Sequence, residues 1–364
     1  PALRSQYPCS SPKAIELRSI PAQVNTAVAS KALSTGHCRR ATPHGVFPQK
    51  IETLRSLFFV PNAKEMQNES MKSVTNIREL PIADAWSNPG ANLSPEQAIE
   101  PNANRLAFAD PEFLLRRETR GIRFQLEMLK PDLIQEAHHI DSTVVVFGSA
   151  RFKSHEEAAS ALDHAQLAGD TTAIASAERL LKQSTYYEAA RAFANLVASY
   201  SEAQADEKDK LFICTGGGPG IMEAANRGAS EAGAPTVGLN ITLPHEQHAN
   251  PYVTPELSFQ FHYFALRKMH FMLRAKALVA FPGGFGTLDE LFEVITLVQC
   301  KKASPTPIVL FGSDYWKRLI NLDMLVEEGT IAAEDLSLIT YADDVHDAWR
   351  AITRFYNLQP VIKT

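Results

Sequence analysis

The apolar positions of the chain change rhythm along its length. After Ser142, short apolar, β-rich runs at 143–147 (TVVVF), 211–214 (LFIC), 236–239, 259–263, 277–281 (ALVAF) and 307–311 (PIVLF), with a weaker one near 338–340, alternate with stretches in which apolar residues recur every three or four positions. A strand that is apolar at every position is covered on both faces. The pattern therefore predicts a mostly parallel sheet between two layers of helices, a Rossmann-like α/β fold of three layers spanning 142–364. Between the first two runs, 156–168, 172–183 and 186–200 predict three helices where a minimal crossover uses one. That insertion, 153–210, is expected to cap the fold or to build an interface.

Upstream the period is helical. Over 76–141, Phe113, Leu114, Leu115, Ile122, Leu126 and Leu129 recur at helical spacing with Arg116, Arg117, Arg120 and Arg123 between them, which predicts an N-terminal helical extension packed on the main domain. Its arginines read first as a solvated face and second as contacts for an anion or a neighbouring subunit. Residues 1–75 hold ten Lys and Arg against four Glu and no Asp, with scattered Pro, Ser and Ala and no sustained period. They are expected to be poorly ordered, as a dispensable leader rather than an organelle transit peptide.

Composition narrows the function classes. With 36 Lys+Arg against 41 Asp+Glu and a formal charge of -5, the chain has no general footprint for nucleic acid, so any phosphate it binds must be met locally. Cys9, Cys38, Cys214 and Cys300 lie far apart without CxxC or Cys/His ligand spacing, which argues against a disulfide framework and against structural zinc. A reducing, cytoplasmic setting is expected. No apolar run approaches the roughly 20 residues of a bilayer span, so no membrane partner is expected.

Three predicted strands end in turns of small residues, Gly148-Ser149-Ala150, Gly216-Gly217-Gly218-Pro219-Gly220 and Pro282-Gly283-Gly284-Phe285-Gly286-Thr287. In an open parallel sheet the strands' carboxyl ends form the ligand crevice, where glycines admit a ligand to backbone amides and a following helix adds unpaired donors. Neither the P-loop pattern nor G-x-G-x-x-G is present, which weakens the ATPase and ordinary dinucleotide readings. Two glycine turns on crossover units favour a phosphorylated ligand.

A predicted helix over 265–276 that leads straight into strand 277–281 runs antiparallel to it. Arg267 and Lys268, near its start, therefore share an edge with the turn after that strand. From this turn a helix over 287–299 carries Asp289, Glu290 and Glu293 early, with Glu290 four residues after Gly286 and on the face beneath the glycine turn. A guanidinium grips phosphate, and a carboxylate beside a sugar stabilises charge at the anomeric carbon or orients water, so the pair suits cleavage of a nucleoside monophosphate. The residues alone leave a second reading open, in which Glu290 is an acid favoured by the helix dipole and Arg267 its structural partner.

The run Pro282-Gly283-Gly284-Phe285-Gly286-Thr287-Leu288-Asp289-Glu290 resembles the PGGxGTxxE signature of the LOG family, cytokinin-activating phosphoribohydrolases once labelled lysine decarboxylases, and Arg267-Lys268 precedes it at the family's separation. Gly216 to Glu223 and the extension around 113–130 resemble the longer bacterial type, and the likeness covers about 105–355. It implies hydrolysis of the N-glycosidic bond of an adenine-type nucleoside 5'-monophosphate, AMP or a cytokinin riboside 5'-monophosphate, to free base and ribose 5-phosphate. Neither a metal nor an organic cofactor is implied. Carried over by motif, Arg267 and Glu290 are the catalytic pair and Gly283, Gly284, Gly286 and Thr287 the phosphate cradle. Lys268, Glu246, Thr296 and the small residues Gly148, Ser149, Gly216, Gly217 and Gly218 fall at nucleotide-contact positions. A homodimer or higher homo-oligomer is also implied. Phe285 in place of a tyrosine, Asp289 in place of Glu and the 153–210 insertion depart from the short plant members and bear on base preference.

The alternative is a carrier that binds a nucleotide or a pterin cofactor on the same fold without hydrolysis. A pyridoxal-dependent decarboxylase is disfavoured because no local pattern singles out a Schiff-base lysine. His245 and His248, three apart in PHEQHAN, read as pocket-lining loop residues rather than a metal pair. His138, His139, His262 and His270 read as ordinary polar or packing positions, and Cys214 as a small buried hydrophobe.

Overall fold

The computed structural model describes residues 105–242 and 249–358, so the expectations for 1–75, for the first part of the extension and for Glu246, His245 and His248 lie outside the described residues. A one-turn helix, Pro111–Leu114, is capped by Asp110, whose carboxylate accepts the Phe113 amide at 3.2 Å. The elements that follow are α1 (Arg120–Ala137), β1 (Thr143–Phe147), α2 (His155–Ala168), α3 (Thr171–Glu202), β2 (Phe212–Thr215), α4 (Ile221–Glu231), β3 (Thr236–Ile241) and β4 (Ser258–Phe261). Then come α5 (Phe264–Leu273), β5 (Ala275–Ala280), α6 (Phe285–Gln299), β6 (Ile308–Phe311), α7 (Ser313–Leu319), α8 (Leu322–Glu327), β7 (Ile339–Ala342) and α9 (Val345–Tyr356).

The seven strands form one sheet in the order β4-β3-β2-β1-β5-β6-β7, and every neighbouring pair is parallel. β1 to β4 are laid outward in one direction. The chain then returns to the middle, sets β5 beside β1 and continues the other way, which makes the β1/β5 boundary the point where a ligand crevice opens. Side chains alternate across the pleat. Val144 and Val146 of β1 pack among Tyr187, Phe193 and Val197 of α3, Ala224 of α4 and Ile352 of α9. Val145 and Phe147 face Leu266 and Phe271 of α5, Leu291 and Val294 of α6 and Trp316 of α7. Two helical layers thus explain why β1 is buried at all five positions.

Two helices differ from the sequence expectation in ways that change how the elements connect. The helices expected at 172–183 and 186–200 are one continuous helix, α3. No glycine or proline interrupts it, and the hydroxyls between the two expected ranges turn back onto the helix, Ser184 donating to the Leu181 carbonyl at 2.7 Å and Thr185 to that of Lys182 at 3.0 Å. α3 is the crossover helix between β1 and β2, set so close to α4 that a Cβ on Gly228 would stand 1.9 Å from the Arg191 carbonyl oxygen. The helix expected over 265–276 ends at Leu273, and Ala275 and Lys276 belong to β5. Arg274 makes the corner: its guanidinium donates to the Ile140 carbonyl at 2.8 Å and pairs with Asp132 of α1.

Candidate functional site

Three turns meet at the carboxyl end of the sheet. The Ser149 amide donates to the Pro282 carbonyl at 3.0 Å, and the Ser149 carbonyl accepts the Ile221 amide at 3.1 Å, so the turns after β1, β2 and β5 are fastened to one another. Glycine is demanded by closeness at these joints. A Cβ on Gly220, where φ is +71°, would lie 2.3 Å from the Ser149 carbonyl oxygen, and one on Gly283 would lie 2.1 Å from Thr287 Oγ1.

The turns do not offer equal numbers of free donors. The Gly217 amide donates to Thr215 Oγ1 at 2.9 Å, while the Gly217 and Gly218 carbonyls accept from the backbone and side-chain amides of Asn250 at 2.8 and 3.0 Å. Asn226 links Thr215 to Asn250 through its Oδ1, at 2.7 and 2.9 Å. By contrast, α6 begins at Phe285 with Gly284 as its N-cap and no side chain capping it. The amides of 284–287 have no acceptor among the described residues, and nothing lies within 4 Å of where a Cβ would stand on Gly284 or Gly286. These four donors at the positive end of a 15-residue helix are an arrangement suited to an anion, the candidate cradle. Tyr315 of α7 donates to the Gly283 carbonyl at 2.6 Å and so fixes the plane of the peptide between Gly283 and Gly284. In a trans peptide the Gly284 N–H then points the opposite way to that carbonyl.

Beside the cradle lie Arg267 and Glu290. Arg267 of α5 spends its Nε on the Leu239 carbonyl at 2.7 Å, and its guanidinium carbon lies 5.0 Å from the centre of the Phe271 ring. That leaves the terminal nitrogens directed into the crevice. Nη1 is 3.9 Å from Glu290 Oε1, and Nη2 would be 2.6 Å from a Cβ on Gly216, so a side chain there would displace the guanidinium. Burial pushes the pKa of Arg267 down while Glu290 draws it up, though it stays a cation. Burial pushes the Glu290 carboxyl up to about 7 against the pull of Arg267 and Lys268. A carboxyl that exchanges its proton near neutrality beside a fixed cation is equipped for acid–base or charge-stabilising work.

The structure thus brings Gly148, Gly216, Gly283, Thr287, Arg267 and Glu290 together, with Gly284 and Gly286 at the open mouth. Ser149 joins through its backbone, its Oγ accepting the Arg151 amide at 3.2 Å. Lys268 lies near Glu290 but is held by other acids, and Thr296 lies further along α6. Lys268 binds Asp289 and Glu293 at 2.8 and 3.0 Å, bonds that outweigh burial and hold its pKa above the ordinary lysine value. Thr296 is exposed and donates to the Phe292 carbonyl at 2.7 Å. Both line an open groove with Phe285, Leu288 and Phe292. Asn250, Asn226, Tyr315 and the Leu239 carbonyl escaped the sequence reading. Only Asn250, the last residue of PHEQHAN, stood in a noticed motif. Cys214 is buried, with its thiol pushed up to about 12 by desolvation. Among the described residues no group of three or more His, Cys, Asp or Glu is placed to hold a metal, and no helix is long and apolar enough to cross a membrane.

A family model described as "possible lysine decarboxylase" matches residues 222–352. A probable cytokinin riboside 5'-monophosphate phosphoribohydrolase of Arabidopsis thaliana is 30% identical over 142 residues, 37% of this chain and 70% of its own length. A rice enzyme bearing that name (Oryza sativa subsp. japonica) is 30% identical over 155 residues, covering 40% of this chain and 62% of its own. Another, from rice and named as probable, is 28% identical over 151 residues, and the chain spans 64% of its length. Among solved structures, the molybdenum cofactor carrier protein of Chlamydomonas reinhardtii aligns over 60% of this chain and 99% of its own, with 19% identity and a TM-score of 0.36.

Proposed function

The chain belongs to the LOG family, and from that premise we propose that it hydrolyses the N-glycosidic bond of an adenine-type nucleoside 5'-monophosphate. The observation that carries the reading is the buried pair, with Arg267 Nη1 and Glu290 Oε1 3.9 Å apart at the lip of a helix whose first amides are unspent. The cradle takes the 5'-phosphate, and binding energy from that remote group holds the sugar between guanidinium and carboxylate. As the bond from C1' to the base breaks, the base leaves with the bonding electrons. Ionised Glu290 then faces the oxocarbenium-like sugar. Water adds its oxygen to C1', and its displaced proton balances the base, giving free base and ribose 5-phosphate.

AMP and N6-prenylated AMP are the substrates to compare, and no metal or organic cofactor enters the scheme. Homo-oligomerisation is part of the proposal, supported by the stripe Ile122, Leu126, Leu129 and Leu133 on α1, 40–52% exposed, and by Phe285, 92% exposed, at the cradle. So is a cytoplasmic setting, for which Cys214 and Cys300 stand as free thiols. The test is to incubate the chain with each monophosphate and its dephosphorylated nucleoside and to measure free base and ribose 5-phosphate. Release from the monophosphates, lost in Glu290→Gln, is expected. Tight binding with no release would replace hydrolysis by the carrier reading.

A further inference from the structure

Halfway along α1, Glu127 reaches across to α5. Its carboxylate oxygens accept the backbone amides of His262 and Tyr263 at 3.1 and 3.2 Å, and its carbonyl oxygen lies 3.0 Å from His270 Nε2. Tyr263 is the N-cap residue of α5 and supplies no side-chain cap of its own. An acid borrowed from 136 residues upstream therefore satisfies amides that the helix start leaves open and sets a negative charge on the positive end of its dipole. The surrounding contacts hold the same point. The Phe124 and Tyr263 rings meet edge-on at 4.4 Å, and Arg123 Nε donates to the Tyr263 hydroxyl at 3.2 Å.

The capped residue is directly bonded to the catalytic one. The Tyr263 carbonyl accepts the Arg267 amide at 3.2 Å, so where Tyr263 sits decides where the Arg267 backbone sits. The guanidinium is already tethered by Nε to Leu239, which leaves the helix start as the remaining freedom in its approach to Glu290. One turn on, His270 is buried, and burial holds its pKa down, so the neutral ring keeps its contact with the Glu127 carbonyl. We propose that Glu127 is a positioning residue for the hydrolysis: it caps α5 and thereby sets Arg267 against Glu290. This role rests on the reading of Arg267 and Glu290 given above, and it makes the helical extension a working part of the site.

The experiment compares full-length wild type, Glu127→Ala, Glu127→Gln and Gln135→Ala. Gln135 is a buried residue of α1 that donates to the Pro131 carbonyl within its own helix, so its variant weakens α1 without touching α5. In Glu127→Ala, kcat with AMP should fall about five- to tenfold, as loss of a cap implies. The acid limb of the pH–rate profile should move to higher pH as the Arg267 charge recedes from Glu290, which also faces Lys268, Asp289 and Glu293. Inhibition by inorganic phosphate should not change, because the cradle belongs to α6. Glu127→Gln keeps one acceptor but loses the charge, so kcat should fall about two- to threefold with a smaller shift of the limb in the same direction, and it serves in place of the alanine variant if that one does not fold. Gln135→Ala should lose thermal stability with an unmoved limb. A Glu127 variant with wild-type kcat and limb, or a Gln135 variant with the same kcat loss and shifted limb, overturns the proposal. A wild type that releases no base from any monophosphate overturns the reading of the site itself, and this inference with it.

Discussion

Replacing Glu290 by glutamine should make the folded chain more stable at pH 8 while it removes turnover. The residue is 6% exposed, and burial lifts its carboxyl from an ordinary 4.5 to about 7. Between those values the folded chain holds a proton that the unfolded chain has released, so this group's contribution to stability falls as pH rises from about 4.5 through about 7. Above the folded value the whole penalty stands. A pKa difference of roughly 2.5 corresponds to on the order of 3 kcal/mol. Glutamine is shaped like the protonated acid and never ionises, so it escapes the penalty. The attraction of Arg267 at 3.9 Å does not change the sum, because it is one of the influences already contained in the raised pKa. Thermal unfolding of wild type and Glu290→Gln at pH 5 and pH 8 measures the effect. The gap in Tm should be small at pH 5 and open to several degrees by pH 8, at about 2–4 °C per kcal/mol for a domain of this size. A gap that does not widen with pH would refute the argument, since the ionised carboxylate would then be well solvated or fully compensated. A variant that is more stable and inactive carries the signature of a group kept buried and charged for function.

Other consequences are separable. Gly286→Ala should fold normally, because open space surrounds that position, yet raise KM for the monophosphate more than for the nucleoside; Gly283→Ala should damage folding as well, its Cβ meeting Thr287 Oγ1 at 2.1 Å, and paired unfolding and kinetic measurements distinguish the two. Tyr315→Phe removes the hydrogen bond to the Gly283 carbonyl, worth about 1 kcal/mol, and should raise KM for AMP several-fold with kcat nearly kept; an unchanged KM would remove Tyr315 from the cradle. Gly228→Ala should cost at least about 1–3 kcal/mol in denaturant unfolding, because the added methyl enters the Arg191 backbone. In peptide mapping of the native chain after thiol labelling, exposed Cys300 should be modified and buried Cys214 spared.

The features legible in the sequence are those that local geometry controls. Short apolar, β-rich runs identified six of the seven strands to within two residues at each end. The converging edge of α5 and α6 followed from one helix entering, and the other leaving, a single strand. Spacing leaves open the direction each side chain takes around a helix. Consecutive helical residues point about 100° apart, so Lys268, beside Arg267, meets Asp289 and Glu293 while still lying near enough to Glu290 to draw its pKa down. Thr296, six residues beyond Glu290 and more than a turn and a half along α6, is exposed and donates to the Phe292 carbonyl.

Long-range supports left no local trace. Leu239 reaches Arg267 through a backbone carbonyl, an atom every residue owns, and its choice is made by the pairing of β3 with β4 and the packing of α5. Glu127 is one acid among many on an amphipathic helix until Tyr263 is laid against it. The approach of Arg267 to Glu290 could therefore be read from spacing, whereas the geometry that holds the two at 3.9 Å is assembled from residues 28 to 136 positions away. Those supports are where changes should tune the site without touching its chemistry. A substitution at Glu127 or Tyr315 should shift a pH limb or a KM by modest factors, while one at Glu290 abolishes turnover.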